Sequence, residues 1–288
     1  MKTASPSIQL EQSVVSSHRQ DELIEPRLLW HETVRAKLDG LYDTAQFANF
    51  ARCGKEHLIR TCKDCGRVTL LDYQCSVKWC PRCQWKISRQ RAELISAWAK
   101  RVRQPKHLVL TEANHEILTQ RILKNHLQRL RKFRRSQSFR HARGGCLTVE
   151  VTNEGRGWHL HSHWLVDVDW LDPAEIARTW ARLAGQQFAI VKVKDARPKE
   201  YQLQVAKYVC KPAQLASWPA ERIAQFVWAI RGRRFFFAFG SLQKLRPEIK
   251  RELAAKRIAP DCECGACNWQ FETERLEILN ELRRNRRR

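Results

Sequence analysis

Three histidines recur at every second position of Trp158-His159-Leu160-His161-Ser162-His163-Trp164. On an extended strand alternate side chains share a face, so the three imidazoles project from one side. They are three of the 10 His in the chain, packed into five residues. Upstream, Glu154-Gly155-Arg156-Gly157 can close a two-residue hairpin, with Gly155 at the position that needs positive φ. That turn sets Glu150 opposite His161 and Thr148 opposite His163, and opposed residues share a face. A three-residue loop would break this register. Two imidazoles and a carboxylate then converge on one point, a donor set that suits Mn²⁺ or Mg²⁺ with open positions. The competing reading is a polar sheet face with satisfied histidines.

A second group lies in Tyr201-Gln-Leu-Gln204-Val-Ala-Lys207-Tyr208-Val-Cys-Lys211-Pro212, in a chain with only 4 Tyr. At helical spacing Gln204, Tyr208 and Lys211 share a face. A phenol flanked by Lys207 and Lys211 is placed to attack a phosphodiester, because the ammonium groups offset phosphate charge and favour phenolate. A lone tyrosine on an amphipathic helix otherwise serves packing.

The cysteines form a third group. There are 11, an odd number, and no secretion-type leader opens the sequence. This argues against a disulfide framework and for a reducing, cytosolic compartment. Cys62-x-x-Cys65 and Cys80-x-x-Cys83 are two pairs 14 residues apart, the spacing of a zinc ribbon. Cys53 and Cys75, with His57 nearby, are extra candidate ligands, for a second ion. Cys262, Cys264 and Cys267 form a later trio without an obvious fourth ligand, a candidate second zinc site.

Composition sets the partner class. Lys+Arg total 53 against Asp+Glu 30, a net charge of +23. A chain this basic meets a polyanion, either nucleic acid or an anionic membrane face. No apolar run is long enough for a membrane helix. Hydrophobic residues make up 43% of the chain, enough for a real core. Arg131, Lys132, Arg134 and Arg135 end a helical run and are candidate phosphate contacts. Further basic clusters lie at 231–234 and 283–288.

These groups need elements to hold them. Periodicity predicts an N-terminal arm followed by a helix from Leu28 to Phe50, and an amphipathic helix from Ser88 to Gln104. A strand follows at His107–Thr111, then a helix from His115 to about Arg135. Strands Cys146–Thr152 and Trp158–Val168 come next. Asp172-Pro173-Ala-Glu175 opens a helix that Gly185 stops. Then come a strand at Phe188–Lys194, helices at Lys199–Cys210 and Trp218–Ile230, and a strand at Arg234–Phe239. The order β-α-β-β-α-β-α-α-β begins as a ferredoxin-like split unit, an α+β fold with an antiparallel sheet backed by helices.

These residues together resemble the rolling-circle replication initiators, the plasmid Rep proteins of the HUH endonuclease superfamily. His107-Leu-Val-Leu-Thr111 is similar to their first motif. Glu150-Val-Thr152 with Gly157-Trp-His159-x-His161-x-His163 is similar to the second, and Ala206-Lys207-Tyr208-x-x-Lys211 to the third. Cys75-x4-Cys80-Pro81-x-Cys83-Gln84 resembles their zinc module. The resemblance covers about residues 53 to 240 and is specific in the second and third motifs. One position departs from the family pattern: Ser162 stands where a hydrophobic residue usually separates the paired histidines. His159 with His161 satisfies that rule, and the tripled pattern favours His161 with His163.

The chain is expected to have four parts: an N-terminal arm and helix (1–50), a zinc module (51–90), an endonuclease domain (91–245) and a C-terminal cysteine cluster with a basic tail (246–288). The resemblance implies a metal held by His161, His163 and Glu150, and a 5′-phosphotyrosine at Tyr208. It also implies single- and double-stranded origin DNA as partner, with host replication proteins beside it. Tyr201, seven residues before Tyr208, is a possible second nucleophile. A rolling-circle transposase, a zinc-ribbon DNA-binding protein without catalysis and a metal-dependent hydrolase are the competing classes.

Overall fold

The computed structural model describes residues 18–41, 44–197, 199–206, 210–255, 264 and 268–271. The chain opens with α1 (His18–Leu38) and α2 (Ala45–Ala51), followed by β1 (His57–Cys62) and β2 (Val68–Asp72). Then come α3 (Pro81–Ala99), β3 (Pro105–Thr111), α4 (Gln120–Arg134), β4 (Gly144–Asn153), β5 (Trp158–Asp167), α5 (Pro173–Ala184) and β6 (Val191–Asp195). The remainder is α6 (Lys199–Val205), α7 (Pro212–Ser217), α8 (Ala220–Ile230), β7 (Phe236–Phe239), α9 (Gly240–Ala255) and β8 (Trp269–Phe271).

The five central strands lie in the order β6-β3-β5-β4-β7, and every pairing is antiparallel. The first four strands of this run, numbered within the βαββαβ unit, have the 4-1-3-2 arrangement of a ferredoxin-like sheet, as the sequence order predicts. The fold is therefore α+β. β7 extends the sheet at its β4 edge.

Local signals explain several boundaries. Thr119 caps α4 by accepting the Ile122 N–H at 3.2 Å. Asp172 caps α5 through the Ala174 N–H at 2.9 Å, Pro173 takes the first helical position, and Gly185 ends the helix at φ 70°. α3 begins at Pro81 rather than Ser88, because Cys80 is the cap and Pro81 sits in the first turn. The cysteine knuckle is thus the start of a helix. α1 begins at His18, earlier than the expected arm allows. Expected β6 residues Phe188 and Ile190 are exposed, and the paired strand starts at Val191.

Both sheet faces are covered, unequally. On one face Leu108, Val149, Leu160 and Trp164 pack against Phe133 of α4, Trp180 of α5 and Phe226 of α8 in a single core. Phe133 meets Trp164 and Trp180 edge-on, at 5.6 and 6.0 Å between ring centroids. The other face carries a smaller core: Cys146 and Leu165 lie under Ile95 and Trp98 of α3, Val205 of α6, and Leu242 and Ile249 of α9. This second layer covers only part of its face and leaves the rest as a cleft. A separate three-stranded sheet, β2-β1-β8, brings Trp269–Phe271 beside His57–Cys62.

Phe133 is fully buried at the junction of β5, α4 and α5. Phe133→Ala is expected to lower stability by about 3–5 kcal/mol, measured as a reduced urea midpoint at unchanged slope.

Candidate active site

Alternation on β5 builds the site. Trp158, Leu160, Ser162 and Trp164 are buried in the larger core, while His159, His161 and His163 face the cleft. Trp158 is locked in by Trp218 at 5.0 Å and by Phe226 at 6.2 Å between centroids. Ser162 is tolerated on the buried side because its hydroxyl accepts the Trp164 indole N–H at 2.9 Å. A small polar residue therefore satisfies a large aromatic that would otherwise bury an unpaired donor.

The hairpin register is the expected one, with Glu150 opposite His161 and Thr148 opposite His163. The ladder closes at Asn153–Trp158, so four residues lie beyond it rather than two. Gly155 takes φ 90° and donates its N–H to Asn153 Oδ1 at 3.0 Å. Gly157, at φ 93°, lies so close to the His115 carbonyl that a Cβ would stand 2.8 Å from it. The loop after β3 is thereby drawn onto the start of β5, where His115 and Trp158 exchange backbone hydrogen bonds of 2.8 and 2.6 Å.

The cleft holds about 600 Å³ and brings His159, His161, His163 and Glu150 together with Lys211 and Tyr201. His163 Nε2 lies 3.1 Å from Glu150 Oε2. His161 Nε2 lies 3.3 Å from Thr152 Oγ1. The rings of His159 and His161 are 4.0 Å apart, those of His161 and His163 6.3 Å. Burial, reinforced by His159, pushes the His161 pKa down to about 4. Burial lowers His159 as well. Burial alone would raise Glu150, but the His163 hydrogen bond and charge outweigh it and hold the carboxyl below its usual range. His163 Nδ1 is buried without a hydrogen-bond partner. The imidazoles of His159 and His161 held towards the neutral form, an ionised carboxylate and an unsatisfied ring nitrogen of His163 are the donor chemistry a divalent cation takes. The ligand atoms of this set are not drawn together as tightly as the thiol groups described below.

Lys207 and Tyr208 lie outside the described residues. Their neighbours are anchored: Ala206 and Cys210 are buried, and the Val205 carbonyl accepts the Thr148 hydroxyl at 2.5 Å. Thr148 is the residue opposite His163. Val205 is thus tied to the strand that carries Glu150, and Lys211 lines the cleft.

Two lysines of the cleft carry no motif of their own. Lys192 and Lys194 pair with Val109 and His107, so both project onto the histidine face. Their signal was the alternation Val191-Lys-Val-Lys194. His107 stacks between His163 and Tyr201, at 5.7 Å from each. Just past β3, Asn114 Oδ1 meets His159 Nδ1 at 2.5 Å. Glu112 is buried with His126 at 2.9 Å and Arg129 at 3.0 Å. Burial would raise the Glu112 pKa, but the nearby His115 and His126 rings and the Arg129 guanidinium, which donates to both carboxylate oxygens, hold it well below the usual carboxylate range.

The thiols sort differently from their spacing. Cys53, Cys75, Cys80 and Cys83 form one buried group, with Sγ–Sγ distances of 3.5, 3.6 and 3.7 Å among them. Cys62, Cys65 and Cys264 form another. The two C-x-x-C pairs therefore do not share one site; chain folding gives each pair different partners. Either group could hold a metal ion. Cys262 and Cys267 lie outside the described residues.

The basic clusters separate too. Phe133 and Leu130 bury α4 against the larger core, so Arg131, Lys132 and Arg135 face outward on the layer away from the cleft. Arg134 lies over the Phe239 ring at 5.6 Å. On the cleft face, at the β7 edge, Lys78, Arg91, Arg234, Arg246 and Lys250 line a groove with no carboxylate among its lining residues. The tail at 283–288 lies outside the described residues. No helix among the described residues is long and apolar enough to cross a membrane.

A family model described as replication protein matches residues 70–264. No curated protein and no solved structure matches the chain.

The Glu112 cluster joins the end of β3 to α4, and its loss should be felt as stability. Glu112→Gln is expected to cost about 3 kcal/mol at pH 7, the scale of breaking a buried ion pair. Because the folded carboxyl titrates below the unfolded value of about 4.3, its contribution is complete above that pH and shrinks as the pH falls through the folded value. Urea unfolding of both proteins should thus show a wide gap at pH 7 and a narrower one at pH 3.

Proposed function

The chain belongs to the replication-protein family of rolling-circle plasmid initiators, and we propose that it nicks and rejoins one strand of origin DNA through a tyrosine–phosphate link. The observation that carries this reading is the open sheet face, where three histidines and Glu150 share a cleft with Lys211, three residues after Tyr208 in the sequence. The family match supports a replication initiator.

His161, His163 and Glu150 would hold the divalent ion, Mn²⁺ or Mg²⁺, with His159 beside them. When bound, such an ion acts as a Lewis acid on the scissile phosphate. The chain's own groups do the rest. Lys192, Lys194 and Lys211 draw the phosphates of a single strand across the sheet. Tyr201 offers a ring on which a base can stack. The Tyr208 phenol gives up its proton to solvent and its oxygen attacks phosphorus; the bond to the 3′ oxygen breaks, that oxygen takes a proton from solvent, and a 5′-phosphotyrosine forms with a free 3′-OH. Lys207 and Lys211 favour the phenolate and offset charge on the phosphate. The new 3′-OH primes synthesis. Reverse attack on the phosphotyrosine rejoins the strand without a nucleotide cofactor, because the phosphodiester energy is kept in the link.

The groove of Lys78, Arg234, Arg246 and Lys250 supports duplex DNA beside the nick. The four thiols of Cys53, Cys75, Cys80 and Cys83 suit a structural Zn²⁺: with Zn–S of about 2.3 Å, sulfurs at tetrahedral corners stand about 3.8 Å apart, close to the distances among them. This reading places the protein in the cytoplasm, with host replication proteins as partners.

Tyr208→Phe is expected to abolish nicking of a single-stranded origin oligonucleotide while leaving its binding unchanged, and EDTA should stop the parent protein. Full activity of the variant would refute the assignment. Replacing Lys192 and Lys194 by Ala should weaken single-strand binding and flatten its salt dependence by about 0.7 in log–log slope per lysine.

A further inference from the structure

We propose that Cys62, Cys65 and Cys264 form a second metal site, separate from the Cys53 group, that fastens the C-terminal segment to the N-terminal ribbon. Cys62 ends β1 and Cys65 lies in the turn before β2; Cys264 is 202 residues from Cys62. Their sulfurs lie within 4.8 Å of one another, and Cys62 Sγ stands 3.6 Å from Cys264 Sγ. That spacing is far longer than a disulfide of about 2.05 Å and close to the edge of a tetrahedral thiolate site. Three soft sulfurs select a thiophilic cation such as Zn²⁺ over the oxygen-seeking Mg²⁺ or Mn²⁺.

The surrounding backbone brings the same two segments together independently of the sulfurs. β8 pairs with β1, setting Trp269 opposite Cys62 and Phe271 opposite Arg60. The Lys63 N–H donates to the Asn268 carbonyl at 2.8 Å. The Arg60 guanidinium lies 4.0 Å from the centre of the Trp269 ring. A three-residue strand has little independent stability, since isolated pairing of this length buries little surface. A cation between the thiolates adds the missing constraint. It closes a loop that contains the whole five-stranded sheet, and such closure removes most entropy from the unfolded chain when the loop is long. Binding displaces the thiol protons to solvent, as thiolate ligation requires. Cys146 and Cys210 contrast with this group: each is fully buried, its thiol pushed up by burial.

The full-length chain and Cys264→Ser, purified under the same zinc-replete reducing conditions, decide the matter by native mass spectrometry. Cys264 and Cys65 are exposed, so their substitution leaves the cores intact. Each single variant, Cys264→Ser or Cys65→Ser, is expected to carry one zinc fewer per chain than the parent. Hydrogen exchange at Trp269–Phe271 should rise in both, while β3, β4 and β5 keep their protection. Equal zinc content in parent and variants would overturn the proposal. So would a parent mass 2 Da low from a Cys62–Cys264 disulfide with no zinc at this group.

Discussion

The three histidines and Glu150 of the cleft depend on one constraint, the register of the β4–β5 hairpin. Trp158, Leu160 and Trp164 are buried on one face of β5, and His159, His161 and His163 project from the other. A slip of one residue would exchange the two sets and drive imidazoles into an aromatic core. The apolar anchors therefore set the site as firmly as the histidines constitute it. The turn supplies the other half of the specification. Gly155 takes the positive φ, and Gly157 lets the loop after β3 approach the strand. That approach places Asn114 on His159 and lets Glu112 hold β3 to α4.

The sheet has two unequal faces because the chain has two sets of helices to cover it. α4, α5 and α8 seal one side. On the other, α3, α6 and α9 cover only part of the sheet and leave the cleft beside them. α3 begins inside the Cys80–Cys83 knuckle, so the buried thiol group and the helix roofing the cleft face are one continuous piece. Through the β2-β1-β8 sheet Trp269–Phe271 return to that same region.

Much of this was legible in the sequence. The histidine alternation, the opposition of Glu150 and His161, and the βαββαβ order rest on local periodicity and turn chemistry, and these survived folding. What was not legible is non-local. Spacing paired Cys62–Cys65 with Cys80–Cys83, yet the fold gives each pair other partners, because sequence distance does not record which strands meet. β8 is three residues long and carries no pattern of its own. The cations at the end of α4 read as a binding surface, but Phe133 and Leu130 of the same helix turn them away from the cleft. Lys192 and Lys194 reach it instead, through the pairing of β6 with β3. Glu112 has no periodic signal at all; its importance comes from His126 and Arg129, brought by another helix.

We propose that the histidine face of the hairpin is where a DNA strand is cut by a tyrosine. Incubating the full chain with single-stranded origin DNA and Mn²⁺, then digesting it and mapping the DNA-linked peptide by mass spectrometry, tests it directly. One linked residue is expected, Tyr208, with the DNA attached through its 5′ phosphate. A link at Tyr201 or any other residue, or cleavage that leaves no link, would contradict it.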